Sequence, residues 1–122
     1  MRIRHLAYLA ASLAFASPAV AQDYASGLRC YEANDFACAI RHFGPLAQSG
    51  MARAQYRMGS VYAEGTGVPV DMAEAYKWFS LAAAKGDRVS REALDSITPI
   101  MTPEQVQEGL RRAREFDGRR RA

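Results

Sequence analysis

One pattern occurs twice in this chain at a fixed spacing. Asp71-x-Ala73-x-Ala75-Tyr76-x-x-Phe79-x-x-Ala82-Ala83-x-x-Gly86 matches Asp35-x-Ala37-x-Ala39-Ile40-x-x-Phe43-x-x-Leu46-Ala47-x-x-Gly50 offset for offset, each position standing 36 residues after its counterpart. A period of about 20–50 residues marks a stacked repeat, whose units bury their apolar faces against one another. Such modules more often bind other molecules than catalyse reactions, although fold alone does not decide function.

Within each copy the small and aromatic positions lie on one face of a 3.6-residue helix. Ala39 and Ala75 let a partner helix approach, and Phe43 and Phe79 fill the space beneath, so the repeated residues read as core rather than as chemistry. The composition is that of an all-α chain, rich in Ala, Leu, Arg, Glu and Met and sparse in β-branched residues. Six helices in three hairpins are expected, over 24–33 and 36–48, 51–63 and 72–85, and 88–97 and 103–116. Their ends have local causes. Asp71 with Glu74, and Thr102 with Gln105, each read as a capping box, and Pro103 sits at a first helical position where its missing N–H costs nothing. Asp35 is expected to cap the helix that contains Cys38, and Gly50 and Gly86 suit left-handed positions after a helix.

The first 21 residues read as an address rather than as fold. Arg2, Arg4 and His5 precede an apolar run from Leu6 to Ala16, and Ala19-Val20-Ala21 supplies small residues for cleavage before Gln22. This is the layout of a secretory signal peptide, and the run is shorter than the roughly 20 apolar residues of a spanning helix. The alternative is a retained N-terminal anchor. Once Arg2 and Arg4 have left, 14 basic residues face 13 acidic ones, a net charge of +1. The basic balance of the whole chain is therefore weak evidence for a nucleic-acid partner, and none is expected. The remainder is enough for one domain with a modest core, has no further run long enough to span a membrane, and implies a periplasmic or secreted protein.

The stretch Ala54-Gln55-Tyr56-Arg57-Met58-Gly59-Ser60-Val61-Tyr62-Ala63-Glu64-Gly65-Thr66-Gly67-Val68, followed by Asp71, Ala75, Trp78-Phe79, Ala82-Ala83 and Gly86, resembles a complete Sel1-like repeat, a relative of the tetratricopeptide repeat. Residues 24–50 resemble a shortened copy that keeps Gly27 and loses the Gly-x-Gly loop, its first turn being four residues shorter. The expected layout is a leader over 1–21, a degenerate repeat over 22–50, a complete repeat over 51–86, a partial repeat and capping helix over 87–117 and a frayed basic tail over 118–122. The resemblance implies a right-handed α-solenoid whose concave face is lined by the first helix of each pair and binds proteins or peptides. Carrying the tetratricopeptide contact positions across relative to Gly59 points to Arg53, Tyr56, Ser60 and Glu64, and relative to Gly27 to Tyr24, Leu28 and Tyr31. Exposed Tyr and Arg suit recognition. The competing reading makes them ordinary groove residues without a ligand.

Cys30 and Cys38 are the two cysteines, one near the end of a helix and one near the start of the next. An even count in an exported chain favours a disulfide, and the resemblance implies this pairing, since secreted Sel1-type proteins carry the same C-x7-C bridge between paired helices. A redox pair would usually show C-x-x-C at a helix N-terminus, which is absent. The loop is short, so stabilisation at the low end of about 2–4 kcal/mol is expected.

Motifs for chemistry are few. His42 is the single histidine after the leader and corresponds to Trp78 in the second copy, an ordinary helix position. No four-ligand zinc site forms without carboxylates if the cysteines are oxidised, so no metal, cofactor or catalytic residue is expected. G-x-S-x-G and S-x-x-K are missing, which weakens the reading that some cysteine-rich Sel1 relatives suggest, an enzyme or binder acting on β-lactam or peptidoglycan-type ligands. Gly65-Thr66-Gly67 does not follow a strand and reads as a helix–helix turn rather than a phosphate loop. Arg111, Arg112, Arg114 and the basic tail read as a solvated surface, against contact with an anionic lipid or an acidic partner. The leading expectation is a small envelope adaptor for a protein or peptide, beside the enzyme reading and beside a homodimer stacked end to end, which would cover end faces that two repeats leave open.

Phe79→Ala removes a buried ring from so small a core. It is expected to cost about 3–5 kcal/mol and to abolish cooperative melting by circular dichroism. A melting temperature near that of wild type would contradict the repeat alignment.

Overall fold

The computed structural model describes residues 17–121. Among these the chain is all-α: α1 (Pro18–Glu32), α2 (Phe36–Gln48), α3 (Ala52–Glu64), α4 (Met72–Ala84), α5 (Arg88–Ile97), a 3-10 turn at Thr98–Ile100 and α6 (Pro103–Arg121). α1 packs on α2 and α3 on α4, and the two hairpins join through α2 and α3. α5 continues the stack from α4. α6 lies along α4 with little packing against α5, so the expected capping helix covers the second repeat and does not pair with α5 in a third hairpin.

Local chemistry sets most helix ends. Asp35 and Asp71 each accept from the N–H three residues on, Cys38 at 3.1 Å and Glu74 at 3.0 Å. Thr102 and Gln105 close the full reciprocal box, at 3.1 and 2.9 Å. Asp71 makes only half of one. Its N–H goes to the Tyr62 carbonyl, and the Glu74 carboxylate turns to Lys77 and Arg112 instead of back to the cap. α1 starts six residues before the expected position, because Ser17 caps it through the Val20 N–H and Pro18 stands in its first turn. It thus runs through the expected cleavage point, while residues 1–16 of the expected leader lie outside the described residues. The tail expected to fray is helical as far as Arg121, and the Arg120 guanidinium lies 5.9 Å from the Phe116 ring centre.

The two hairpins are locked in the same way. Phe43 and Phe79 of the second helices are 0% and 3% exposed. Each ring presses on a glycine of the first helix: a Cβ built on Gly27 would lie 2.6 Å from Phe43, and one on Gly59 2.6 Å from Phe79. Only hydrogen fits there. Three residues before each glycine a tyrosine closes over the same ring, Tyr24 on Phe43 at 5.5 Å and Tyr56 on Phe79 at 5.8 Å between centroids. These tilted pairings exploit the quadrupoles of the rings. The four-residue difference between the copies is taken up entirely by the turn around Gly65 and Gly67, both at positive φ. Gln55, fully buried at the junction of the hairpins, donates to the Ala47 carbonyl at 3.2 Å and accepts from Lys85 at 3.3 Å.

α6 closes the other side of α4. Phe116 meets Trp78 edge-on at 5.4 Å, and the Lys77 ammonium sits 4.1 Å above the Trp78 ring. Arg112 reaches Asp71 at 3.0 Å, Glu74 at 2.9 Å and Glu108 at 2.9 Å. Hydrogen bonds from Arg111 and Arg112 pull the Glu108 carboxyl down to about 2. Burial pushes the Asp71 carboxyl up, but hydrogen bonds from the Glu74 N–H and from Arg112 outweigh it and leave the group below its ordinary value.

Two outcomes follow for stability. Gly59→Ala drives a methyl into Phe79 and is expected to cost about 1–3 kcal/mol. Gly118→Ala, inside α6 with no side chain or distant backbone within 4 Å of the new methyl, is expected to add up to about 0.5–1 kcal/mol through helix propensity. Urea melts of the two variants check the opposite signs. The α6 clasp also carries a pH dependence. Carboxylates whose folded pKa is depressed add stability above their unfolded value and lose it as pH falls through the folded one. The clasp therefore holds at neutral pH, weakens as pH drops below 4.5, the ordinary value for Glu108, and is lost near about 2. Arg112→Gln is expected to lower the melting temperature at pH 7, and the gap to wild type should be clearly smaller at pH 2.5. Equal gaps at both pH values would contradict it.

Candidate functional site

The Gly–Phe locks pull α1 and α3 down onto their partner helices and leave the outer faces of these first helices beside each other. On α1, Tyr24, Leu28 and Tyr31 recur at helical spacing. On α3, Arg53, Tyr56, Arg57, Ser60 and Glu64 form one stripe. The start of α5 adds Asp87 and Val89. Between them lies an open cavity of about 610 Å³, lined by Tyr24, Leu28, Arg53, Tyr56, Arg57, Asp87 and Val89.

Four of the seven residues expected in a groove, Tyr24, Leu28, Arg53 and Tyr56, line this cavity. The other three lie outside it. Tyr31 donates its hydroxyl to Glu64 at 3.1 Å, bridging α1 to α3. Burial and the Glu64 carboxylate push the Tyr31 phenol above its ordinary pKa, so it stays protonated and donating. The Ser60 hydroxyl donates to the Tyr56 carbonyl at 3.2 Å and so faces its own helix.

The centre of the site is a residue outside the carried-over tetratricopeptide contact positions. The Arg57 guanidinium lies 5.8 Å from the Tyr31 ring and 5.6 Å from the Tyr56 ring, and its Nε donates to the Tyr24 hydroxyl at 3.4 Å. Three tyrosines thus hold one cation by its π-faces and one hydroxyl. Arg57 is not among the tetratricopeptide contact positions carried across relative to Gly59, which are Arg53, Tyr56, Ser60 and Glu64. The available signal was the Arg53-x-x-x-Arg57 spacing, which places two cations on one face. Among the described residues neither Arg53 nor Arg57 has a carboxylate partner within 4.0 Å. The nearby acids are engaged elsewhere: Glu64 accepts from Tyr31, and Asp87 caps α5 by accepting from the Ser90 N–H at 3.2 Å and from its hydroxyl.

Residues 52–87 match the Sel1 repeat family model. The match starts at the first residue of α3 and ends at the cap of α5, so it covers the hairpin that carries Arg53, Tyr56 and Arg57. Sel1 repeats generally mediate protein–protein interaction. No curated protein and no solved structure matches the chain. The hairpin of α1 and α2 lies outside the Sel1 match, yet it repeats the Sel1 hairpin's glycine–phenylalanine contact and its overlying tyrosine. Cys30 and Cys38 form a disulfide with Cα atoms 5.7 Å apart, tying the end of α1 to the start of α2. The matching position to Cys30 in the Sel1 hairpin is Tyr62, packed against both core clusters. No helix among the described residues is long and apolar enough to cross a membrane.

Proposed function

We propose that this chain is an exported adaptor of the bacterial envelope, and that it holds an acidic segment of a protein partner in the groove between α1, α3 and α5. The observation that carries the reading is the pair of arginines without carboxylate partners in a cavity walled by Tyr24, Leu28 and Tyr56. Two cations held on one apolar and aromatic wall favour a ligand with carboxylates beside an apolar side chain. The phenol rings add rigid contact area at low entropic cost, as binding hot spots do. Export is supported by the basic start, the apolar run and the small residues at Ala19-Val20-Ala21, together with a cystine that an oxidising compartment maintains.

A library of short fluorescent peptides that varies in acidic and aromatic content tests the reading by polarisation. Acidic peptides with an apolar residue are expected to bind, and affinity should fall with added salt. Arg53→Ala is exposed and leaves the fold intact, so a loss of about tenfold or more there, equal to about 1.4 kcal/mol, reports the contact itself. Arg57→Lys keeps the charge but breaks the planar stacking and should also weaken binding. A library without acidic preference, or variants that bind as wild type does, would overturn the proposal.

A further inference from the structure

A second cluster lies apart from the groove floor. The two sulfurs of Cys30 and Cys38 and a ring nitrogen of His42 all lie within 4.8 Å of one another, and all three side chains are half-buried. Cys38 and His42 are one helical turn apart on the same face of α2, the i, i+4 spacing that lets a helix give two ligands to one metal ion. Cys30 arrives from α1, across the hairpin.

The scaffold does not demand these residues. The Sel1 hairpin builds the same lock with Tyr62, Glu74 and Trp78 at the matching positions. Trp78 is buried there, whereas His42 keeps access to solvent. Three metal-binding side chains therefore stand together in the one copy, where the other copy carries an aromatic, an acid and an aromatic.

We propose that the reduced protein binds a divalent cation of the zinc class through Cys30 Sγ, Cys38 Sγ and a ring nitrogen of His42, and that re-forming the disulfide, by exchange with the disulfide form of a dithiol that takes up the two electrons, releases it. The reductant is a dithiol of the thiol–disulfide exchange class. Its two thiols supply two electrons and two protons, the Cys30–Cys38 bond breaks to two thiols, and the donor closes to its own disulfide. The cation then displaces the two thiol protons, and the imidazole binds as a neutral ligand. Two thiolates cancel the 2+ charge, which suits a half-buried site. A tetrahedral zinc site with Zn–S of about 2.3 Å and Zn–N of about 2.0–2.1 Å requires the sulfurs to part and the ring to close in. Both movements are side-chain rotations. Three protein ligands leave the fourth position to water.

Cobalt(II) is the probe. Titrated anaerobically into the phosphine-reduced full chain, it should bind at one equivalent with thiolate-to-cobalt absorption in the near ultraviolet and intense tetrahedral visible bands, and zinc should displace it. The oxidised chain should give neither band. His42→Ala should weaken binding by more than about tenfold, the low end of what losing even an outer-shell partner costs a metal site, and should shift the visible bands. Helical circular dichroism is followed in parallel. If reduction alone melts the first hairpin, cobalt should restore the helical signal in wild type and not in His42→Ala. No one-to-one sulfur–cobalt band, or the same affinity and spectrum in His42→Ala as in wild type, would overturn the proposal.

Discussion

An aromatic ring laid on a glycine holds this molecule together. In each hairpin the second helix offers a phenylalanine, and the first helix offers the only residue whose backbone can receive it at 2.6 Å from where a Cβ would stand. The contact brings the helix axes close, buries the ring and fixes rotation about both axes, because a rotated helix would aim a Cβ at the ring. A tyrosine three residues earlier then has one place to go, over the same ring. Its apolar body is covered and its hydroxyl stays at the edge. The core and the functional face are set by one contact, repeated.

That economy explains why the groove is tyrosine-walled and why Arg57 is held where it is. Tyr24 and Tyr56 belong to the lock, and Tyr31 is fixed by Glu64 from the neighbouring hairpin. A guanidinium placed among three rings gains π contacts while keeping donors free for a ligand. On the capping face the charges are closely paired. Arg111 and Arg112 are wrapped in carboxylates on α6 and α4. The contrast between a satisfied capping face and an unsatisfied groove face is what gives the groove its meaning.

Much of this was legible in the sequence, for a physical reason: buried positions repeat because the lock repeats. The 36-residue offset, the faces of α2 and α4, the short first turn and the Thr102–Gln105 box all follow from local rules that the fold leaves intact. What escaped depends on partners distant in sequence. Glu74 fails to complete its capping box because Arg112, 38 residues away, takes its carboxylate. α6 lies on α4 rather than α5 because Phe116 finds Trp78, which no spacing rule foretells. Arg57 falls outside the tetratricopeptide contact positions, and its contacts with Tyr24 and Tyr31 come from the other hairpin, so the repeat pattern passes over the residue at the centre of the site. Ser60 lies at a groove position by register, yet its hydroxyl is taken by its own helix backbone.

A double-mutant cycle between Gly59→Ala and Phe79→Leu measures the lock most directly. Phe79→Leu keeps an apolar side chain but removes the ring that the new methyl would strike. If the ring-on-glycine contact governs the fold, Gly59→Ala costs clearly less in the Phe79→Leu background than in wild type, with a coupling above about 0.5 kcal/mol in urea unfolding. Additive costs would mean that the methyl and the ring do not compete for one space, and the account of how this fold builds its groove would fail.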